Sequence, residues 1–168
     1  MVNLINIKKS PAEIATVLAK DDTIKKLLVI DTADALEKDV PEGVDLNYLL
    51  EKHYISMEPP VENRIQEYDR NTFISILVDT VMPASEGNMR ANYVIYVSTN
   101  MDHQMLENNR NRLLELADRI IHLLQDKKFT AAGQMSFSSM SHAMLSEFHS
   151  AYRLAFSMTD QQKKVGDI

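Results

Sequence analysis

The chain has 168 residues, 45% of them hydrophobic and 25% charged, which is the size and balance of one globular domain rather than a disordered or fibrous protein. A formal charge of −6 and a pI near 5.3 argue against a protein whose main task is neutralising phosphates, because such proteins gather Lys and Arg on one face. With no cysteine, disulfides, thiolate metal sites and thiol catalysis are excluded.

Met1 to Lys9 lacks the charge-then-apolar order of a signal peptide, and no apolar run approaches the ~20 residues of a membrane span. The chain therefore reads as soluble and unexported, with no membrane partner. Ser10-Pro11-Ala12-Glu13 is a helix start: Ser can cap, Pro at the first helical position loses no needed N–H, and Glu13 suits the first turn. That helix runs to about Ala19. Asp21-Asp22-Thr23 breaks or re-caps the chain before Ile24 to Ile30, where periodicity does not separate helix from buried strand and helix is favoured. Residues 31–45 form an acidic loop broken by Pro41 and Gly43, with Glu37, Asp39, Glu42 and Asp45 set against the single Lys38. Leu46, Leu49 and Leu50 indicate a short second helix ending near His53, which Pro59-Pro60 cannot prolong.

Asn71 to Val81 is the first strand. Phe73, Ile74, Ile76, Leu77, Val78 and Val81 make it apolar on both faces, so it belongs inside the sheet or under cover on both sides. Met82 to Arg90 holds Pro83, Gly87 and Asn88 and reads as a hairpin loop, longer than a tight turn needs, returning into a strand from Ala91 to Thr99. Residues 107–126 are the helix around which the core is organised: Leu113, Leu116, Ala117, Ile120, Ile121 and Leu124 recur at spacings of three and four. Asn100 or Asp102 caps it, and Lys127-Lys128 suit the negative end of its dipole. Met135 and Phe137 indicate a third strand, and residues 138–146 a polar connection rich in Ser and Met. The final strand is Phe148 to Met158, whose even positions are apolar except Ser150. The remaining residues, 159–168, are a polar tail.

Chemistry is sparse. The histidines at 53, 103, 122, 142 and 149 fall in different predicted elements without a ligand spacing, so they read as surface or half-buried imidazoles and no metal is expected. Asp79, Asp102 and His103 are the acid–base set that can be named. They make an enzyme only if they converge in one pocket, and no serine stands in a nucleophile elbow. The glycines at 43, 87, 133 and 166 are too scattered for a phosphate loop or a dinucleotide fingerprint. Neither enzyme activity nor a cofactor is expected. Ten methionines read first as core filler and second as adaptable contact surface, with Met135, Met140, Met144 and Met158 in the last third. The acidic run from Glu37 reads first as a solvated loop; its sharper reading is a rim that repels DNA, if the protein forms a ring around it.

The order of strand, loop, strand, amphipathic helix, strand, polar connection and alternating strand, after a helical N-terminal third, resembles the tail terminator and tail-completion family of tailed bacteriophages and similar neck-ring proteins. Phe73 to Val81, Tyr93 to Thr99, the Leu113 to Leu124 stripe and Tyr152-Arg153-Leu154-Ala155-Phe156 carry the resemblance, which covers about residues 70–160. It implies closed rings, commonly hexameric, stacked between head connector and tail with DNA passing through the lumen. Such a protein is made in the bacterial host cytoplasm and ends in the virion. The N-terminal third is longer than a minimal member's.

The expected fold is α+β in a single domain. Residues 1–60 are a helical and loop part, residues 70–160 a core with a mixed or antiparallel sheet of about four strands, and residues 161–168 a tail. One long amphipathic helix packs across the sheet. The expected function is that of a structural virion protein: a homo-oligomeric ring touching neighbouring neck, connector or tail proteins, through which DNA passes without specific binding. A small non-viral protein-binding adaptor is the rival. Contacts are assigned to the 82–90 and 138–147 connections through Pro83, Glu86, Asn88, Arg90, Met140 and Met144, and the lumen rim to Glu37, Asp39, Glu42 and Asp45.

Overall fold

A computed structural model of the chain describes residues 4–61, 65, 70–83, 89–129 and 133–159, so the expected tail over 161–168 lies outside the described residues. Helix α1 (Leu4–Ala19) begins before Ser10 and runs through Pro11. Ile7, Ser10, Ile14 and Leu18 form one buried stripe, and burying it on a continuous helix outweighs the donor that Pro11 lacks. Helix α2 (Asp22–Val29) is capped by Asp21, whose carboxylate accepts the Ile24 N–H at 3.0 Å. Helix α3 (Leu46–Glu51) is capped in the same way by Asp45, which accepts the Tyr48 N–H at 2.8 Å. Helix α4 (Arg112–Leu124) is the organising helix, but shorter than expected. Asn111 caps it, in place of Asn100 or Asp102, by accepting the Leu113 and Leu114 N–H groups. Upstream, Asn108 and Asn109 sit at φ 60 and 59, a left-handed conformation that stops the helix from reaching back to Glu107.

Among the described residues the sheet has six strands: β1 (Ile55–Ser56), β2 (Thr72–Pro83), β3 (Met89–Asn100), β4 (Lys128–Phe129), β5 (Gly133–Met144) and β6 (His149–Thr159), in the order β1-β2-β3-β6-β5-β4. Only β1 and β2 run parallel. The whole curls into a half-barrel with short helices. This corrects the expectation of about four strands crossed by one long helix after a helical N-terminal third. The two extra strands, β1 and β4, are two residues long and too short to show a period. The stretch 138–144, expected as a connection, is the second half of β5; its polar residues suit a strand exposed on both faces, and that composition hid it.

One face of the sheet carries Ile74, Ile76, Tyr93, Ile95, Leu154 and Phe156 into a single cluster with Ile14, Leu18, Leu27, Leu113, Leu116 and Ile120 from the helices. Each such side chain, fully buried, contributes roughly 1.5–3 kcal/mol. At the joint between α2 and α4 lies Arg112, 0% exposed. Its guanidinium donates to the carbonyls of Leu27 and Ile30 at 2.7 Å and of Thr32 and His103 at 2.9 Å. Three of these acceptors belong to the end of α2 and the turn beyond it, where a helix leaves carbonyls unpaired, so the buried charge and the helix terminus satisfy each other.

Two register shifts interrupt the ladders, between Val78 and Thr80 in β2 and between Phe137 and Ser139 in β5. Asp79 and Ser138 are the extra residues. Bulges of this kind bend a strand and re-aim a side chain.

Candidate functional site

The helices cover one face of the sheet. By strand alternation the opposite face carries Phe73, Ser75 and Leu77 of β2, Val94, Tyr96 and Ser98 of β3, and Ala151, Arg153 and Ala155 of β6. Phe73, Val94 and Ala151 are buried there, although they stand outside the main core cluster.

Toward the β2–β3 hairpin this face opens into a pocket of about 300 Å³, lined among others by Asp79, Arg90, Asn92, Val94, Ser138 and Arg153. Both bulged residues line it, although they come from strands on opposite sides of the β3–β6 pair. The Asn92 amide donates to Thr80 Oγ1 at 2.9 Å, and Thr80 Oγ1 donates to Asp79 Oδ2 at 3.5 Å. The lining brings the donor groups of Arg90, Arg153 and Asn92 and the carboxylate of Asp79 to one hollow.

Asp102 and His103 lie in the turn that follows β3, at the other end of that strand, where His103 Nδ1 is 3.2 Å from the Asp31 carbonyl. Asp79 is beside Val78 and Thr80, which pair with Tyr93 and Asn92. The acid–base set imagined from Asp79, Asp102 and His103 is therefore not brought together. At the β5–β6 turn, His142 Nε2 lies 2.8 Å from Ser150 Oγ, and Ser146 Oγ lies 3.3 Å from His149 Nδ1. Ser146 Oγ also accepts the Phe148 and His149 N–H groups at 3.2 and 3.1 Å, which closes the turn. Among the described residues, no group of three or more His, Cys, Asp or Glu side chains is placed to hold a metal ion, and no helix is long and apolar enough to cross a membrane.

The expected contact residues fall into two groups. Pro83 ends β2, and Arg90 lines the pocket on β3, paired with Met82 and Thr159. Glu86 and Asn88 lie outside the described residues. Met140 and Met144, 42% and 54% exposed, pair with Leu154 and Ser150 toward the opposite end of the sheet. Glu37, Asp39, Glu42 and Asp45 are exposed between α2 and α3, with Asp45 engaged as the α3 cap. Asn92, Ser138 and Arg153 were not singled out as site residues. Arg153 stands at an odd position of an alternating strand whose even positions face the core, and that parity was the signal available.

The model of a protein family, YomW, matches residues 21–158, from the cap of α2 to the penultimate residue of β6. The chain belongs to the YomW family. YomW is a phage-like family derived from Bacillus prophages, which makes this a phage-associated protein. The YomW span takes in the pocket, both bulges and all six strands up to Met158, and leaves out α1. No curated protein matches the chain.

Proposed function

We propose that this YomW-family protein is a structural, non-enzymatic virion subunit that assembles as a homo-oligomeric ring at the head–tail neck or the tail end, with DNA passing through its lumen. The supporting observation is the pair of long hairpins, β2–β3 and β5–β6, which leave Val78, Met82, Met140, Met144 and Phe148 between 37% and 61% exposed. Large apolar side chains held in water along two hairpins are explained by protein partners that cover them. A ring needs two different patches on each subunit, because a head-to-tail contact is heterologous, and the hairpins supply two. Neighbouring neck, connector or tail proteins take the remaining exposed surface.

Glu37, Asp39, Glu42 and Asp45 support a lumen that does not grip DNA. Exposed carboxylates repel phosphates over a Debye length, about 8 Å at physiological salt. The protein is made in the host cytoplasm and ends in the virion. Gold-labelled antibody against the protein, applied to purified phage particles, tests the placement. Label at the head–tail junction or the tail end is the expected result, and particles without label would overturn it.

A further inference from the structure

We infer that the hollow on the sheet face opposite the helices binds an acidic amino acid, with Arg90 and Arg153 each taking a carboxylate and Asp79 taking an N–H donor. The inference is independent of the ring. It starts from how scarce charge is in the four long strands. Counting Lys, Arg, Asp and Glu, β2 holds Asp79 alone, β3 Arg90 alone, β6 Arg153 alone, and β5 none. All three line the same hollow. Exposure by itself does not call for charge here, since exposed positions of β5 are filled by Gln134, Ser136, Ser139 and Ser141.

The three charges share the hollow without neutralising one another. Asp79 accepts from Thr80 Oγ1 at 3.5 Å, and among the described residues the side chains of Arg90 and Arg153 make neither a hydrogen bond nor an ion pair. A guanidinium offers five donors in a rigid fork that matches a planar carboxylate in a bidentate pair. Both forks are therefore open to a ligand.

Register sets the order of the charges. Arg90 pairs with Thr159, and Arg153 pairs with Tyr96, so the two arginines belong to rows 90 and 96 of β3, about 20 Å apart at the main chain. Their guanidiniums enter the hollow from opposite ends, which suits two carboxylates rather than one. Asp79 falls between these rows, next to Thr80 and its partner Asn92, and Ser138 faces it from β5. Each is the extra residue of a bulge, the device by which a strand turns a side chain in a new direction.

The complement of guanidinium, carboxylate and guanidinium is a ligand with two carboxylates and an N–H donor between them. Two arginines against one aspartate leave the hollow with one positive charge in excess, and free aspartate or glutamate carries one negative charge at neutral pH. A volume of about 300 Å³ stands at the small end of ligand pockets. Nucleic acid fits less well, because its affinity grows with the number of phosphates neutralised, and two arginines beside a carboxylate neutralise few.

Isothermal titration calorimetry of the full chain with L-glutamate, glutarate and inorganic phosphate tests the site. Saturable binding of glutamate is expected. Glutarate keeps both carboxylates but lacks the ammonium, and should bind about tenfold more weakly, with phosphate weaker still. Arg90→Gln and Arg153→Gln should each weaken glutamate by about tenfold or more and leave the melting temperature unchanged, since neither side chain has a partner to lose. Asp79→Asn should erase the preference for glutamate over glutarate. A wild type that shows no saturable binding of glutamate, or arginine variants that bind it as the wild type does, would overturn the site. Glutarate or phosphate bound by the wild type as tightly as glutamate would overturn the ligand assigned to it, a comparison that needs no variant to fold.

Discussion

Single residues carry more of the fold's definition than their number suggests, and Arg112 is the clearest case. Arg112→Met keeps the apolar stem but leaves four carbonyls, those of Leu27, Ile30, Thr32 and His103, without their shared donor. The expected cost is about 3–5 kcal/mol, read as a drop of roughly 10 °C in the melting temperature. Arg112→Lys should fall between, since one ammonium cannot span the four acceptors; a methionine variant as stable as the wild type would contradict the role. His149 makes a second case. Burial lowers its pKa from the ordinary 6.5, with a hydrogen bond from its ring to the main-chain carbonyl of Arg70 opposing, and its ring lies 6.1 Å from that of Phe73. A lowered folded pKa means that the stability carried by the neutral ring is full above about pH 6.5 and is lost as the pH falls through the lower folded value. His149→Gln should therefore flatten the fall in melting temperature between about pH 7 and pH 5, and parallel curves for the two proteins would count against it.

At the scale of elements, the Asp21 cap was legible, whereas Asp45 drew notice only as part of an acidic loop, Ser10 and Asn100 or Asp102 do not cap the helices they were assigned to, and lengths were not legible. Asp21 and Asp45 are short acceptors placed just ahead of apolar periodicity, and both cap the helices that follow. The start of α4 was misplaced because the left-handed pair Asn108-Asn109 reads in sequence as ordinary polar helix surface. The second half of β5, beyond the expected strand at Met135 and Phe137, was hidden by its serines, since an edge strand exposed on both faces has no alternation to show. Asp21 also ties α2 to α4 by accepting from Arg119 Nη2 at 2.6 Å and Nε at 3.0 Å. Burial pushes its carboxyl pKa up, but the hydrogen bonds from Arg119 and Ile24 and the guanidinium charge outweigh that and hold it below 3.8. The contribution is present above that value and is lost as the pH falls through the lower folded pKa. Asp21→Asn, which keeps the cap and loses the charge, should cost about 0.5 kcal/mol, and Asp21→Ala, which loses both, about 1–2 kcal/mol. Urea midpoints measure the difference; equal midpoints for the two variants would leave the cap without a role.

Over the whole molecule, the helix-covered core was readable from periodicity, whereas the pocket on the opposite face was not. The hollow around Asp79, Arg90 and Arg153 depends on two register shifts and on the curl of the sheet, and neither leaves a local pattern. Asp79 drew notice as a possible acid, and only the register places it with two arginines instead of with Asp102 and His103. Met140 and Met144 were named from composition, and their exposure on the outer part of β5 required the topology to see. The central claim is assembly into a ring, and native mass spectrometry of the purified chain over a concentration series, followed by negative-stain images, tests it most directly. A discrete multiple of 19.2 kDa with a central hole is the expected result; a 19.2 kDa species at every concentration, with or without connector or tail complexes, would contradict it.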